Sequence, residues 1–183
     1  LPARYAQQLP VFHTPVEHLP SLSSPSSLEV TSLPPLEPSD NRKAKSYGTR
    51  IHEIIEELPD TEWNESMLKQ YRLHSGEVRR ILSFGSSNLY HKALTMHIEK
   101  EFPFFIISET ERTTGSMDFV AWNDHEVMII DFKTDYCSQD EIYSRYHAQL
   151  NAYRSAAQTI WPDHQIRVYV WSIHHEKEIE IFP

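Results

Sequence analysis

An α/β fold is what this sequence predicts, on three observations. Ile51, Ile54, Ile55 and Leu58 recur at helical spacing ahead of Pro59. Between Ile98 and Phe132 the chain reads as three strand-length runs separated by turn residues. From Gln139 to Thr159 a helical period returns, followed by two more strand-like runs. The expected core order is therefore helix, three strands, helix, strand, strand.

Residues 1–42 read as an arm or linker preceding a domain over 43–183. Eight of the twelve prolines fall within the first forty residues, around the serine-rich run from Ser21 to Asp40, and neither a helical nor a strand period is sustained there. Proline-rich composition favours an extended spacer, and Leu19, Leu22, Leu28 and Leu33 are spaced to dock into grooves. The first domain helix is expected from about Lys43, ended by Pro59-Asp60. His52 rides on it. A lone histidine beside an apolar stripe is more often packed or solvated than a ligand, but Gly48, four residues earlier, allows close approach by another backbone or a substrate.

Glu62–Tyr71 and Glu77–Ser83 read as short helices broken at Ser75-Gly76, and Ser86-Ser87-Asn88 as the N-cap of another helix through Leu94. Ile98–Ser108, rich in Phe and Ile, reads as a strand; its Glu101 points to a metal or merely flanks the sheet. Gly115–Trp122, the turn residues Asn123-Asp124-His125 and the apolar run Glu126–Phe132 make a hairpin. The helix Gln139–Thr159, stopped by Pro162, carries Tyr146 and Gln149 on one face. A buried glutamine there is either a local hydrogen-bonding solution or a substrate contact. Gln165–Ser172 and Glu178–Phe182 close the sheet.

Composition narrows the classes. A net charge of −9, from 17 basic and 26 acidic residues, is the wrong sign for gripping nucleic acid over a broad surface, though metal ions can supply positive charge locally. The basic clusters Arg42-Lys43-Ala44-Lys45 and Arg79-Arg80 read as solvated helix faces. No apolar run approaches membrane-spanning length and no leader with a cleavage site is evident, so a cytoplasmic protein is expected. A single cysteine, Cys137, excludes intrachain disulfides and four-cysteine clusters. Beginning at Leu1, the chain reads as an excised part of something longer. Without a G-x-x-x-x-G-K-[ST] phosphate loop it carries no ATPase or helicase motif.

The chemistry concentrates in Asp118, Asp131 and Lys133. Two apart on a strand, Asp131 and Lys133 leave the same face, while Phe132 points into a core. Across the hairpin Asp118 can come beside Asp131, and two adjacent carboxylates are costly without an intervening cation. Oxygen ligands on rigid strands suit Mg²⁺ or Mn²⁺. The bland alternative is a surface ion pair between Asp131 and Lys133 with Asp118 capping a turn.

Five blocks in order, Gly48-Thr49-Arg50-Ile51-His52, Glu101-Phe102-Pro103-Phe104, Gly115-Ser116-Met117-Asp118, Asp131-Phe132-Lys133-Thr134-Asp135 and Tyr146-His147-Ala148-Gln149-Leu150 with Tyr153 beyond, make the sequence resemble the PD-(D/E)XK nuclease domains of RecB or AddA type. The resemblance spans roughly 43–160 and implies a restriction-endonuclease-like αβββαβ core, a mixed sheet flanked by helices, behind the extended N-terminal arm. It implies that His52, Asp118, Asp131 and the Phe132 carbonyl hold Mg²⁺ or Mn²⁺, that Lys133 orients water and steadies developing charge, and that Tyr146 and Gln149 contact the site or the DNA. Glu101 matches a block without being an expected ligand.

Metal-assisted phosphodiester hydrolysis would follow, in an exonuclease domain of an ATP-dependent helicase–nuclease that works in double-strand break repair and recombination. The implied partners are single-stranded DNA ends, upstream helicase domains and a second helicase–nuclease subunit, with no membrane. Iron–sulfur relatives need four cysteines and are excluded. A catalytically idle nuclease-like scaffold and an unrelated metalloprotein acting on phosphorylated small molecules remain as other readings, the latter lacking a glycine-rich phosphate cradle.

Overall fold

A computed structural model describes the backbone of residues 22–23, 38–107 and 112–182, and side chains within 46–105 and 114–181. The expected arm falls almost entirely outside these residues. Two pieces of it are described: β1 (Leu22–Ser23), a two-residue strand that the sequence does not announce, and the beginning of α1 (Pro38–Glu57), which starts ahead of the expected Lys43.

Helices follow. Glu62–Tyr71 is not one helix but α2 (Glu65–Leu68) and a 3-10 turn (Lys69–Tyr71) that ends at Arg72, in the left-handed region at φ 52°. The reason is Trp63, which is buried in the core, so the helix is capped only at the next residue, where the Asn64 side chain accepts from Ser66 N–H at 3.0 Å. Ser75-Gly76 is not a break either, but the first turn of α3 (Ser75–Gly85). There the Glu77 carboxylate accepts from His74 N–H at 2.7 Å, and helix-breaking glycine costs least where backbone donors lack intrahelical partners anyway. Ser87 caps α4 (Asn88–Ala93) as its composition predicts.

The strands are β2 (His97–Ile107), β3 (Arg112–Trp122), β4 (Glu126–Lys133), β5 (Gln165–Ser172) and β6 (Lys177–Phe182), with α5 (Gln139–Ile160) between β4 and β5. They form a mixed sheet in the order β2-β3-β4-β5-β6, and β1 lies parallel to the start of β3. Only β4 and β5 pair in parallel within that order, because α5 provides the crossover that parallel neighbours need. Asn123 makes the β3–β4 turn, its side chain accepting from His125 and Glu126 N–H.

Burial on both faces explains the unbroken apolar run of β4. Met128, Ile130 and Phe132 pack with α1, α3 and α4 in one core, while Val127 and Ile129 pack with α5 in the other. Alternation therefore sends Asp131 and Lys133 to the α5 side and Phe132 to the α1 side. In the α1-side core Phe84 contacts Trp63, Tyr90, Phe119, Phe132 and Trp171 at centroid distances of 4.9–5.8 Å.

Lys100 of β2 fastens α1 to the sheet. Its ammonium donates to the carbonyl of Leu58, just past the end of α1, and lies 2.9 Å from Asp60. A cation at a helix C-terminus meets both orphan carbonyls and the negative end of the dipole. Among the described residues, no helix is long and apolar enough to cross a membrane.

Candidate active site

Three elements converge at the open end of the β3–β4 pair. The two strands pair only from Phe119↔Ile130 to Trp122↔Val127 and then part. Into the gap goes the Asp118 carboxylate, whose Oδ2 accepts from Phe132 N–H at 2.8 Å, replacing a ladder bond. From α1, His52 reaches both strands: Nε2 lies 2.8 Å from the Phe132 carbonyl oxygen and Nδ1 lies 3.4 Å from Asp118 Oδ2. Gly48, one turn earlier, is where α1 meets the loop after β4; a Cβ there would lie 3.2 Å from Thr134 Oγ1. The close approach expected at this glycine is thus to a side chain.

Glu101 joins the group. One ligand atom each of His52, Glu101 and Asp118 lie within 4.8 Å of one another. Glu101 sits on β2 between the Lys100↔Phe119 and Phe102↔Met117 pairs, at a left-handed φ of 49° that is costly for a non-glycine residue, and its carboxylate accepts from Ser116 Oγ at 2.6 Å. Strand periodicity carries no trace of that backbone, which is why the sequence leaves Glu101 undecided.

Asp131 is buried at 1% exposure and turned toward Lys133, whose Nζ lies 3.1 Å from its Oδ2. That ammonium is what balances the buried oxygen, by charge. Lys133 is placed from the other side by α5: it donates to Gln149 Oε1 at 3.0 Å and lies 4.1 Å from the Tyr146 ring centroid. Gln149 in turn donates to the Tyr153 hydroxyl at 2.9 Å, and Tyr146 donates to the Asp135 carboxylate. Gln149 is 4% exposed with both ends engaged, so the local hydrogen-bonding alternative describes it. Tyr153, to which the sequence assigns no role of its own, is marked there by its place on the packing stripe of the helix and just beyond the Tyr146–Leu150 block.

Electrostatics follow from this packing. Burial opposes charge on His52, but Asp118, with Asp131 and the Phe132 carbonyl, overcomes it and raises its pKa from 6.5 to about 9. Burial would raise Asp118 as well, yet His52 and Lys133 hold it below its ordinary value. At Asp131 burial wins over Lys133, and Asp118 adds to it, giving about 6. Three carboxylates, of Glu101, Asp118 and Asp131, thus face two cationic groups, His52 and Lys133. The grouped ligand atoms of His52, Glu101 and Asp118, with the Phe132 carbonyl beside them, make a set of one imidazole and several oxygens that fits a hard divalent cation.

Residues 27–181 match the profile of the PD-(D/E)XK nuclease superfamily. The chain is similar to an ATP-dependent helicase/nuclease subunit of Clostridium botulinum, 30% identical over 152 residues that cover 72% of this chain and 12% of that protein. The corresponding subunit of Anoxybacillus flavithermus is 27% identical over 132 residues, covering 67% and 11%, and that of Streptococcus pyogenes 29% over 182 residues, covering 76% and 15%. The chain spans between 11% and 15% of the length of these curated relatives.

Proposed function

The chain belongs to the PD-(D/E)XK nuclease superfamily, and from that premise we propose that it is the metal-dependent DNA nuclease module of an ATP-dependent helicase–nuclease subunit, hydrolysing phosphodiester bonds as an exonuclease in double-strand break repair and recombination. The observation that carries the reading is the meeting of His52, Asp118 and the Phe132 carbonyl, from α1, β3 and β4, at one gap in the sheet, with the Asp131–Lys133 ion pair close enough to act on their charges. Single-stranded DNA ends delivered by helicase domains of the same parent chain are the proposed substrate, a second helicase–nuclease subunit the proposed partner, and the cytoplasm the compartment.

In this mechanism His52, Asp118, Asp131 and the Phe132 carbonyl would hold Mg²⁺ or Mn²⁺, with Glu101 near His52 and Asp118. The cation, when bound, lowers the pKa of water and neutralises charge on phosphoryl oxygens. Lys133, held by Gln149 and flanked by the Tyr146 ring, presents its ammonium to the water and to the charge developing on phosphorus oxygens. Gln149 acts through Lys133 and is a positioning residue. Asp131, buried at the end of β4, holds that ammonium at 3.1 Å and would share its carboxylate with the cation.

Cleavage of end-labelled single-stranded DNA with Mg²⁺ or Mn²⁺, beside EDTA and Asp131→Ala, tests this. Metal-dependent cleavage that Asp131→Ala abolishes is the expected result. Absence of both cleavage and metal binding would leave a nuclease-like scaffold as the better reading.

A further inference from the structure

Three residues past Lys133 the chain presents an exposed aromatic side chain, with a histidine and an arginine near it, that the proposed hydrolytic machinery does not use. Tyr136, three residues beyond Lys133, is 76% exposed. The chain on either side of it is held. Asp135 before it accepts from Tyr146 and lies 3.6 Å from Arg145, and Cys137 after it is buried, with its carbonyl oxygen 2.9 Å from His175 Nε2. One side of the Tyr136 ring leans on His174 at a centroid distance of 3.7 Å and 44°. Burial, with His175 and Arg80, pushes His174 below its ordinary pKa, so at neutral pH the brace is an uncharged ring. Arg80 of α3, its Nε buried, lies near enough to Tyr47 and Tyr136 for its charge to act on both side chains. Neighbouring Arg79 pairs with Glu176 at 2.7 Å, and Arg80 keeps its charge on the Tyr136 side.

An aromatic ring that buries little of itself adds little to the core, yet this one is anchored on both sides of the chain and braced from behind. That is the arrangement a stacking platform needs, since a preset ring loses little freedom when a base lands on it. No more than about 11 Å of chain separates its Cα from that of Lys133, the length of about three stacked nucleotides.

Resting on the nuclease reading, we propose that Tyr136, braced by His174 and flanked by Arg80, is a subsite for single-stranded DNA, stacking a base near the scissile phosphate while Arg80 meets the backbone. It supplies grip where the chain's overall negative charge supplies none.

The test is steady-state cleavage of a single-stranded oligonucleotide with Mn²⁺ by the wild-type chain, Tyr136→Ala, Tyr136→Phe and Arg80→Met. Tyr136→Ala should raise KM by roughly 5- to 150-fold, the range that loss of one stacked base allows, and move kcat far less. Tyr136→Phe, which keeps the ring, should stay within about twofold of wild type. Arg80→Met should raise KM and flatten its dependence on salt. An oligonucleotide abasic near the cleavage site should erase the difference between wild type and Tyr136→Ala. Equal KM for wild type and Tyr136→Ala overturns the subsite. If the wild-type chain does not cleave, the nuclease reading fails separately, and anisotropy of a labelled oligonucleotide then decides: weaker binding by Tyr136→Ala supports the subsite, whereas equal affinity, or no binding by the wild type, overturns it.

Discussion

His52 on α1 and Phe132 on β4, eighty residues apart, meet through a 2.8 Å contact between imidazole Nε2 and the main-chain carbonyl oxygen. Two groups proposed to hold a cation therefore hold each other, with a proton between them. The raised pKa of about 9 means that His52 favours the folded state fully below pH 6.5 and loses that contribution as pH rises through 9.

A cation must displace this proton. Affinity for Mn²⁺ should rise about tenfold per unit from pH 6.5 toward pH 9 and then level off, with proton release on binding. Calorimetric titrations in buffers of different ionisation enthalpy would measure both. A dissociation constant flat across this range would remove His52 from the ligand set.

Asp131 should trade stability for function. Its pKa, raised to about 6 chiefly by burial, means that the fold loses stability as pH rises from 3.8 through 6 and the carboxylate ionises. Asp131→Asn cannot ionise. The metal-free variant should match wild type near pH 4 and exceed it at pH 8 by on the order of 1–3 kcal/mol, while cleavage is abolished. Urea unfolding in EDTA at both pH values, beside the cleavage assay, checks the two halves.

Gln149→Leu should keep the fold and lower kcat. The substitution fills similar volume but removes the acceptor that orients Lys133 and the donor to Tyr153. A loss of about 10- to 100-fold in kcat, with KM less affected, is expected for a displaced charge-stabilising group. Single-turnover kinetics would show it, and unchanged kcat would deny Gln149 a positioning role.

At Gly85 sterics decide the sign. Alanine raises helix propensity by about 1 kcal/mol, but its Cβ would lie 2.8 Å from Trp63 Cε3, within the Phe84 aromatic core. Overpacking there costs about 1–3 kcal/mol, so Gly85→Ala should be net destabilising. A lowered urea midpoint with unchanged slope is the expected measurement.

Local pattern determined most of the elements. The hairpin over 115–132, α5 and the two closing strands follow from periods of two and of three to four residues, and from turn and cap residues such as Asn123 and Ser87. The same periods place Asp131 and Lys133 on one face. Membership of the nuclease superfamily was likewise legible, because ordered motif blocks survive as sequence. What pattern cannot carry is contact between distant segments. Trp63 shortens α2 by entering a core made largely of residues beyond Ile81, the left-handed Glu101 is skipped by a β2–β3 ladder that keeps its register on both sides, and the partner of Gln149 is chosen by how α5 lies on the sheet. Sequence thus determined which residue types stand at the ends of which elements. Tertiary structure alone decided that His52, Glu101 and Asp118 share one gap while Asp131 turns to Lys133, because the parting of β3 and β4 and the fastening of α1 by Lys100 are packing outcomes, with no local period to announce them.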